Sequence, residues 1–210
     1  MDVFRHHKNN LEFEYFLSSA DDKLRADYYT GLNKVLKKYG VDGVVLNTAN
    51  SLSSANTIII LAKNSFGESI GGIRIEIKTD ENPIPLEKIT MHYKKILNAK
   101  IHGLHENGNT LAEICGLWAN SEARNRTSIG KLAPTLIKIA FEICDDLCVD
   151  NITAITPAHT TGFLVELGFT PDSDIPSFAY PDDRYITTVM WRNSSSDNYL
   201  QTYKNLELTI

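Results

Sequence analysis

The chain has 210 residues, of which 42% are hydrophobic and 22% are charged, and its formal net charge is −5. This length and composition predict one soluble globular domain with a full core and exclude a low-complexity chain. The acidic balance argues against broad binding to nucleic acid and against binding to an anionic membrane surface. Because no apolar run follows the basic residues near the N-terminus, we expect neither a signal peptide nor a membrane span, and we expect a cytoplasmic protein.

The three cysteines are an odd number without the spacing of a disulfide framework, which favours a reducing compartment. Cys144 and Cys148 lie one turn apart on a predicted helix, a spacing that would allow a metal pair, but no second pair of ligands is near them. We therefore predict that they pack as small apolar side chains and that the protein holds no metal. His102 and His105 are predicted to flank a solvated loop rather than to bind a metal.

The first half of the chain predicts a strand, a helix and a β-hairpin. An alternating, aromatic-rich run at Glu12–Ser18 predicts the strand. Ser19 is predicted to cap the helix, whose apolar residues recur at helical spacing until Gly40 ends it. Thr57–Lys63 and Ser69–Lys78 are β-branched runs with a short glycine-containing turn between them, which indicates the hairpin.

The second half predicts a strand–helix–strand unit. A short helix at Leu86–Asn98 precedes a strand at Thr110–Ala119, which is apolar on both faces and is therefore expected at the centre of a sheet. Lys131–Cys148 has an amphipathic helical pattern, and Asn151–Thr156 is another β-branched run. This order predicts a right-handed crossover that makes the two strands parallel neighbours.

A brief helix at Thr160–Leu167 and a closing antiparallel strand at Tyr185–Trp191 complete the predicted elements. Together they predict an α/β protein with a mixed sheet. We expect residues 1–193 to form a single domain and residues 194–210 to form a C-terminal extension whose structure the pattern does not define.

The segment between the predicted central strand and the next helix has the features of an anion site. The first N–H groups of a helix have no intrahelical partner and lie at its positive dipole end, which suits a pyrophosphate. Arg124, Arg126 and Lys131 add positive charge there. The alternative interpretation is a basic loop that caps the helix with its Thr and Ser side chains.

Six positions of this region align, in register, with the strand part of a known motif, with Ser121 in place of the motif's proline: Glu113, Ile114, Leu117, Ala119, Ser121 and Arg124. The segment therefore resembles the central motif of the GNAT superfamily of acyl-CoA-dependent N-acyltransferases. In the following loop only Gly130 matches, and Ser128 stands at the inner glycine position. Ile70–Ile75 resembles the third strand of that family, and Phe163–Phe169 resembles its closing motif.

The resemblance implies a mostly antiparallel central sheet with a splayed parallel strand pair and helices on both faces. The cofactor would be acetyl-CoA or another acyl-CoA, bound where the parallel strands separate at a bulge in the central strand. Its pantetheine would pair with the backbone of Leu117 to Ala119, and its pyrophosphate would bind the loop that follows. The implied cofactor-binding residues are Leu117, Trp118, Ala119, Arg124, Asn125, Arg126, Thr127, Ser128, Ile129, Gly130 and Lys131.

Glu113 is the candidate catalytic base, because it matches the strand glutamate that removes the amine's proton in some members of the family. The alternative is a structural glutamate that pairs with Arg74 or Lys131.

The general acid is less well defined by the sequence. The family commonly uses a tyrosine to protonate the leaving thiolate, but Leu164 occupies that position, so His159 or Tyr180 would have to replace it, or the thiolate would leave unprotonated. Cys115 is a conceivable acyl-accepting nucleophile, but we predict it to be a small core residue.

The resemblance predicts an N-acyltransferase that moves an acyl group, with acetyl as the first expectation, from coenzyme A to a primary amine of a small molecule or peptide. One alternative is a long-chain N-acyl amino acid or acyl-homoserine-lactone synthase-like enzyme that uses acyl carrier protein, because a helix at Leu86–Asn98 precedes the central strand. Another is a non-catalytic acyl-CoA-binding module, motivated by Leu164 and the altered loop. A homodimer is the base-rate expectation, and neither nucleic acid nor membrane is an expected partner.

Overall fold

The computed structural model describes residues 3–8, 11–41, 56–120 and 132–194. The chain divides into two compact units, one made of Met1–Ile84 and Ile114–Cys144 and the other of Pro85–Glu113 and Asp145–Ile210. The single-domain prediction stays a prediction.

The strands of the described residues are, in chain order, β1 (Phe4–Lys8), β2 (Leu11–Leu17), β3 (Thr57–Lys63), β4 (Ser69–Ile77), β5 (Leu111–Ala119), β6 (Asn151–Pro157), β7 (Thr170–Pro171), β8 (Phe178–Ala179) and β9 (Ile186–Asn193). The α-helices are α1 (Asp22–Lys38), α2 (Pro85–Ile89), α3 (Lys94–Glu106), α4 (Leu132–Asp146) and α5 (Ala158–Glu166), with a 3₁₀ turn at Met91–Tyr93.

These strands form a mixed sheet in the order β1-β2-β3-β4-β5-β6-β9-β7, and β8 also pairs with β9. In the described part of the chain, β5 and β6 pair in parallel, whereas β1 with β2, β2 with β3, β3 with β4, and β9 with β6, β7 and β8 pair antiparallel. The prediction of a mixed α/β protein with a mostly antiparallel sheet is therefore confirmed.

In the first unit, the predicted hairpin is confirmed as β3 and β4, with Ile60 opposite Ile73. The Asn64 side chain closes the turn, since its Oδ1 accepts from the N–H groups of Phe66 and Glu68 at 3.0 Å each. Gly67, the glycine of the predicted turn, has a φ of +77°, a left-handed conformation that glycine adopts without strain.

The α1 helix begins differently from the prediction. Asp21, and not Ser19, is its N-cap, and the Asp21 carboxylate accepts from the N–H groups of Lys23 and Leu24 at 2.9 Å each. The chain leaves the helix at Gly40, as predicted, with a φ of +69°. The buried face of α1 includes Tyr28 and Leu32, which belong to a core cluster with residues of β2, β3 and β5.

Two adjacent glycines of β4 show that helices cover both faces of the sheet in the first unit. Successive strand residues point to opposite faces. A Cβ on Gly71 would meet the side chain of Leu132 on α4, whereas a Cβ on Gly72 would meet Tyr28 on α1. The sequence therefore has no room for larger side chains where the two helices approach β4.

In the second unit, β6 is the central strand. Its register with β5 runs from Leu111 opposite Asn151 to Glu113 opposite Thr153, and it pairs along its whole length with β9. The predicted parallel neighbour and the predicted antiparallel last strand are both confirmed. Leu147, predicted in the apolar stripe of the preceding helix, lies beyond the end of α4 and is 48% exposed.

The helical segment before β5 is longer than predicted. It consists of α2, the 3₁₀ turn and α3, and α3 continues to Glu106. His102 and His105 therefore lie on a helix, and the predicted loop between them is wrong. His102 contacts Glu106 at 3.1 Å, one turn further along the same helix. No helix in the described ranges combines the length and hydropathy needed to cross a lipid bilayer.

Candidate active site

The middle of β5 has an irregular backbone at Gly116. Its φ is +60°, and a left-handed glycine inside a strand is typical of a β-bulge. A Cβ at this position would lie 2.2 Å from the Tyr28 hydroxyl oxygen, and that hydroxyl donates a hydrogen bond to the Gly116 carbonyl at 2.8 Å. Tyr28 of α1 thus fixes the backbone in the segment where the sequence analysis expects a bulge.

The three β5 residues predicted to contact the cofactor have different environments. Leu117 is 38% exposed, Trp118 is 3% exposed and Ala119 is partly buried. The indole of Trp118 lies against α1 so closely that a Cβ on Gly31 would be 2.1 Å from its ring. The remaining predicted cofactor residues lie outside the described residues: Arg124, Asn125, Arg126, Thr127, Ser128, Ile129, Gly130 and Lys131.

A cleft of about 570 Å³ opens beside the end of β5 in the first unit. The second half of α1, the start of β4 and the end of β5 line it, and Trp118 and Gly31 are among the lining residues. Lys34 and Lys38 of α1 contribute positive charge, and Glu68 contributes negative charge. The cleft therefore combines an aromatic surface with charges of both signs.

A cluster of polar side chains is buried where β3, β4, β5 and α1 meet. We call it the Arg74 cluster, and it consists of Tyr29, Thr57, Arg74, Glu76 and Cys115. The Nε–H of Arg74 donates to the sulfur of Cys115 at 3.0 Å, and the same nitrogen lies 3.0 Å from Oε1 of Glu76. Nη1 of Arg74 donates to the Tyr29 hydroxyl at 3.3 Å, and Thr57 donates to Oε2 of Glu76 at 2.6 Å.

The electrostatics of the cluster keep Arg74 charged. Burial alone lowers the pKa of the Arg74 guanidinium, but Cys115, Tyr28 and Glu76 outweigh burial and raise it well above its ordinary value. Burial raises the pKa of Tyr29 to about 12, and the nearby guanidinium offsets part of that rise. At neutral pH the cluster therefore holds a guanidinium in contact with the Cys115 sulfur and a neutral Tyr29 hydroxyl.

Glu113, the predicted base, lies in the second unit at the end of the parallel register. It is 1% exposed, and its Oε2 accepts from the N–H of Leu86 at 2.7 Å. Leu86 is near the start of α2, where the first N–H groups lack intrahelical partners. The carboxylate thus supports the helical segment before β5, a contact that the sequence analysis did not foresee.

The candidates for the general acid are also in the second unit. His159 is the second residue of α5 and its side chain is exposed, whereas Tyr180 is partly buried. Leu164, at the position where the resembling family has a tyrosine, is 7% exposed and belongs to the core.

Comparison of the sequence and the structure with known proteins gives a match of fold. No family model and no curated protein matches the sequence. The structure is similar to FeeM, an N-acyl amino acid synthase from uncultured soil microbes, with a TM-score of 0.71 and 13% identity over 89% of this chain and 91% of that one. It is also similar to an acyl-CoA N-acyltransferase from Pseudomonas aeruginosa, with a TM-score of 0.55 and 13% identity over 87% of this chain and 99% of that one.

The chain has the GNAT fold. A third structure with this fold is BjaI, a CoA-dependent acyl-homoserine lactone synthase, with a TM-score of 0.64 and 13% identity over 92% of this chain and 88% of that one. At these identities the GNAT neighbours show the fold and not the substrates of this chain.

Within this GNAT fold, sequence reasoning missed the Arg74 cluster. Arg74 and Cys115 are 41 positions apart in the chain and meet because β4 and β5 are neighbours in the sheet. The available signal was Arg74 itself, an arginine inside an isoleucine-rich strand, since a buried cation requires partners.

Proposed function

We propose that this protein is an N-acyltransferase that moves an acyl group from a thioester of coenzyme A to a primary amine. The observation that carries the proposal is the similarity of fold to FeeM and BjaI, which covers about nine-tenths of this chain. The residues that resemble the GNAT central motif, from Glu113 to Arg124, lie on and after β5, and the irregular backbone at Gly116 falls inside that motif.

In this proposal the acyl-CoA binds along the second half of β5 and the loop that follows it. The backbone of Leu117–Ala119 pairs with pantetheine, and a backbone N–H beside Gly116 stabilises the oxyanion that forms when the amine attacks. The loop residues Arg124–Lys131 bind the pyrophosphate. Glu113 is the proposed base and His159 the proposed acid for the leaving thiolate.

A thermal-shift series tests the binding step. CoA, acetyl-CoA and longer acyl-CoAs are each expected to raise the melting temperature, because a ligand that binds only the folded state stabilises it. Arg124→Ala/Arg126→Ala is the informative variant, and we expect it to weaken the shift for every CoA compound. Lys94→Ala/Lys95→Ala, on α3, is the matched control for loss of two charges. Equal melting temperatures with and without all CoA compounds would remove the proposed donor.

A free-thiol assay with pooled primary amines tests the transfer step. We expect thiol release that depends on both the acyl-CoA and an amine. Changing Glu113 to Gln is expected to slow transfer most below neutral pH if Glu113 acts as the base. Binding without thiol release for any donor and any amine would instead favour a non-catalytic acyl-CoA-binding module.

A second candidate is an enzyme that transfers longer acyl groups to an amino-acid-like amine, with CoA or an acyl carrier protein as the donor. It is favoured by the higher TM-scores to FeeM and BjaI than to the Pseudomonas aeruginosa structure, and by the helical segment Pro85–Glu106 before β5. The same thiol assay with acetyl-, octanoyl- and decanoyl-thioesters decides between the candidates. Faster release from the longer chains supports this second one, and release from acetyl-CoA alone excludes it.

A further inference from the structure

Tyr28 of α1 makes a contact with β5 that the packing of its ring does not require. The ring is fully buried and has an edge-on contact with Tyr29, at 5.0 Å between centroids, and a tilted contact with Trp118, at 6.4 Å. A phenylalanine would make both of these ring contacts. The contribution specific to tyrosine is therefore the hydrogen bond that its hydroxyl donates to the Gly116 carbonyl at 2.8 Å.

The Gly116 carbonyl is turned out of the direction that a regular strand would give it. Strand carbonyls bond to neighbouring strands across the sheet, but this one accepts a hydrogen bond from a helix that covers one face. The left-handed φ of Gly116, +60°, is a conformation that glycine adopts without strain. Glycine also leaves room for the bond, because a Cβ there would lie 2.2 Å from the Tyr28 hydroxyl oxygen.

The bond from Tyr28 fixes the direction of the next N–H group along the chain, which belongs to Leu117. The peptide bond between Gly116 and Leu117 is trans. In a trans peptide the carbonyl and the following N–H are coplanar and point in opposite directions. Because the carbonyl is held towards Tyr28, the Leu117 N–H is directed away from α1. A carbonyl that accepts a hydrogen bond also polarises its peptide group and so strengthens that N–H as a donor.

The part of β5 that contains this N–H is accessible from outside. Exposure along β5 is greatest at Leu117, which is 38% exposed, whereas residues 111–114 and Trp118 are buried. Burial raises the pKa of the Tyr28 hydroxyl well above its ordinary value, so the hydroxyl keeps its proton at neutral pH and remains a donor. The Leu117 N–H therefore combines a fixed direction with a position that a ligand can approach.

We propose that Tyr28 is a positioning residue for acyl transfer, which holds the Gly116–Leu117 peptide so that the Leu117 N–H donates to the thioester carbonyl and to the oxyanion formed from it. The inference rests on the proposed function, in which an acyl-CoA binds along this part of β5 and the amine attacks the thioester directly. It adds which N–H is the donor and which side chain orients it. A donor that is oriented before the substrate binds needs no reorganisation in the transition state, where the negative charge on the oxygen develops.

Isotope-edited infrared spectroscopy tests the inference without any amine. The probes are acetyl-CoA and octanoyl-CoA, each isotopically labelled at the thioester carbonyl carbon. In the wild type we expect the carbonyl band of the bound thioester to shift to lower wavenumber, because a hydrogen bond weakens the C=O bond. Tyr28→Phe keeps the ring and removes only the hydroxyl. We expect it to lose most of that shift, while the Kd for acyl-CoA changes by less than about threefold, since one ground-state hydrogen bond contributes little.

Steady-state kinetics with an amine found by the thiol assay give a second readout. Tyr28→Phe is expected to lower kcat about tenfold or more and to leave the KM for acyl-CoA within about twofold, because the donor acts mainly in the transition state. Leu24→Ala is the matched control, since Leu24 is buried on α1 and belongs to the same core cluster as Tyr28. We expect this control to lower the melting temperature and to keep the wild-type carbonyl band and kcat.

Replacing the Tyr28 hydroxyl with an amino group tests whether the hydroxyl acts as a donor. The residue introduced at position 28 is 4-aminophenylalanine, which keeps the ring and places an N–H donor where the O–H was. Because an aniline is a weaker donor than a phenol, we expect a carbonyl shift between those of the wild type and Tyr28→Phe. If Tyr28→Phe does not fold, this variant decides alone, and a shift equal to that of the wild type overturns the inference.

The outcomes separate this inference from the proposed function. An unchanged carbonyl band in Tyr28→Phe, or a wild type that binds acyl-CoA with no shift, overturns the inference, whereas amine-dependent thiol release still supports the proposed function. Loss of the shift in Leu24→Ala as well assigns the effect to helix packing and also overturns the inference. A shift that depends on Tyr28 without transfer to any amine keeps the assigned donor and overturns the proposed function. Absence of binding by every CoA compound overturns both.

Discussion

Gly116 and Tyr28 together determine the backbone of β5 at its irregular point. Gly116 has a φ of +60°, and its carbonyl accepts the Tyr28 hydroxyl at 2.8 Å. A residue with a side chain is strained in this region by about 1–2 kcal/mol. At Gly116 the side chain would also overlap the Tyr28 hydroxyl.

We therefore predict that Gly116→Ala lowers the free energy of unfolding by at least about 1–2 kcal/mol, measured by urea denaturation. Gly162→Ala is the control, because that glycine is inside α5 and a Cβ there meets nothing within 4 Å. Alanine is the better helix former, so the control is expected to be neutral or stabilising. Equal losses at both positions would contradict the strain argument.

The hydrogen bond from the Leu86 N–H to the Glu113 carboxylate predicts different stabilities for two substitutions of Glu113. The Leu86 N–H that it accepts is buried, and leaving such a donor unsatisfied costs about 1–3 kcal/mol. We predict that Glu113→Ala lowers the free energy of unfolding by about that amount. Glu113→Gln keeps an amide oxygen that can accept the same bond, so its loss is expected to be clearly smaller, by the same denaturation measurement. A Gln variant as unstable as the Ala variant would show that the charge, and not this bond, stabilises the segment.

At the scale of elements, the sequence was most informative where one periodicity ran undisturbed. The bounds of β3 and β4 were predicted within a few residues, and the order β5–α4–β6 was predicted correctly. β-branched runs indicate buried strands, and an apolar stripe at helical spacing indicates a helix with one buried face. β1 was not predicted, since its Phe-Arg-His-His-Lys sequence has no apolar alternation and it pairs only at the edge of the sheet. The predicted helix ended at Asn98, before the observed end of α3, because the second half of α3 has few apolar residues. Its buried residues are Leu97 and Ile101.

The site was predicted less completely than the fold, for a physical reason. The motif on β5 is continuous in sequence and was recognisable. The Arg74 cluster instead takes one side chain each from α1, β3 and β5 and two from β4. Such a cluster depends on strand order and register, which a single sequence does not specify. The Asp21 cap of α1 was missed for a smaller reason, because Ser19 and Asp21 are equally good caps by residue type.

Hydrogen bonds of the Asp172 carboxylate connect α3 with β9 inside the second unit, through Lys100 and Trp191, and we call these three residues the strap. The Asp172 carboxylate accepts from Lys100 of α3 at 2.9 Å, from the indole N–H of Trp191 on β9 at 2.6 Å, and from two backbone N–H groups that follow it. Burial raises the pKa of Asp172, but these hydrogen bonds, that of Lys100 first, outweigh burial and lower it below its ordinary value.

A lowered pKa in the folded state means that the unfolded chain binds more protons in acid. The strap therefore stabilises the protein above the ordinary aspartate pKa of about 4, and this contribution is lost as the pH falls through the folded-state value. We predict that wild type is more stable than Asp172→Asn at neutral pH and that the difference shrinks below about pH 4, by denaturation at several pH values. Asp174→Asn is the control, because Asp174 also pairs with Lys100 but is mostly exposed. Exposed pairs contribute only about 0–1 kcal/mol, so a small effect is expected there.

At the scale of the whole molecule, β5 is the strand that both compact units use. Its residues up to Glu113 belong to one unit and those from Ile114 onward to the other. The chain also passes from unit to unit at Ile84 and at Cys144. Neither unit is therefore a continuous stretch of chain that can be cut out intact.

The two tryptophans allow this shared strand to be tested, because Trp118 lies in the first unit and Trp191 in the second. We predict that the single-tryptophan variants Trp118→Phe and Trp191→Phe each show the same unfolding midpoint by fluorescence as by circular dichroism, since loss of β5 disrupts both units. The comparison within each variant removes the effect of the substitution on stability. A fluorescence midpoint that differs from the circular dichroism midpoint in either variant would show that the units unfold separately.

The contact between Gly31 and Trp118 has a consequence for how this sequence can change over time. A Cβ on Gly31 would lie 2.1 Å from the indole ring, so even alanine at position 31 requires the ring to move. The ring is 3% exposed and packed between α1 and the sheet, and it has little space to move into. A side chain at position 31 is therefore compatible only with a smaller residue at position 118, and homologous sequences are expected to show the two positions covarying.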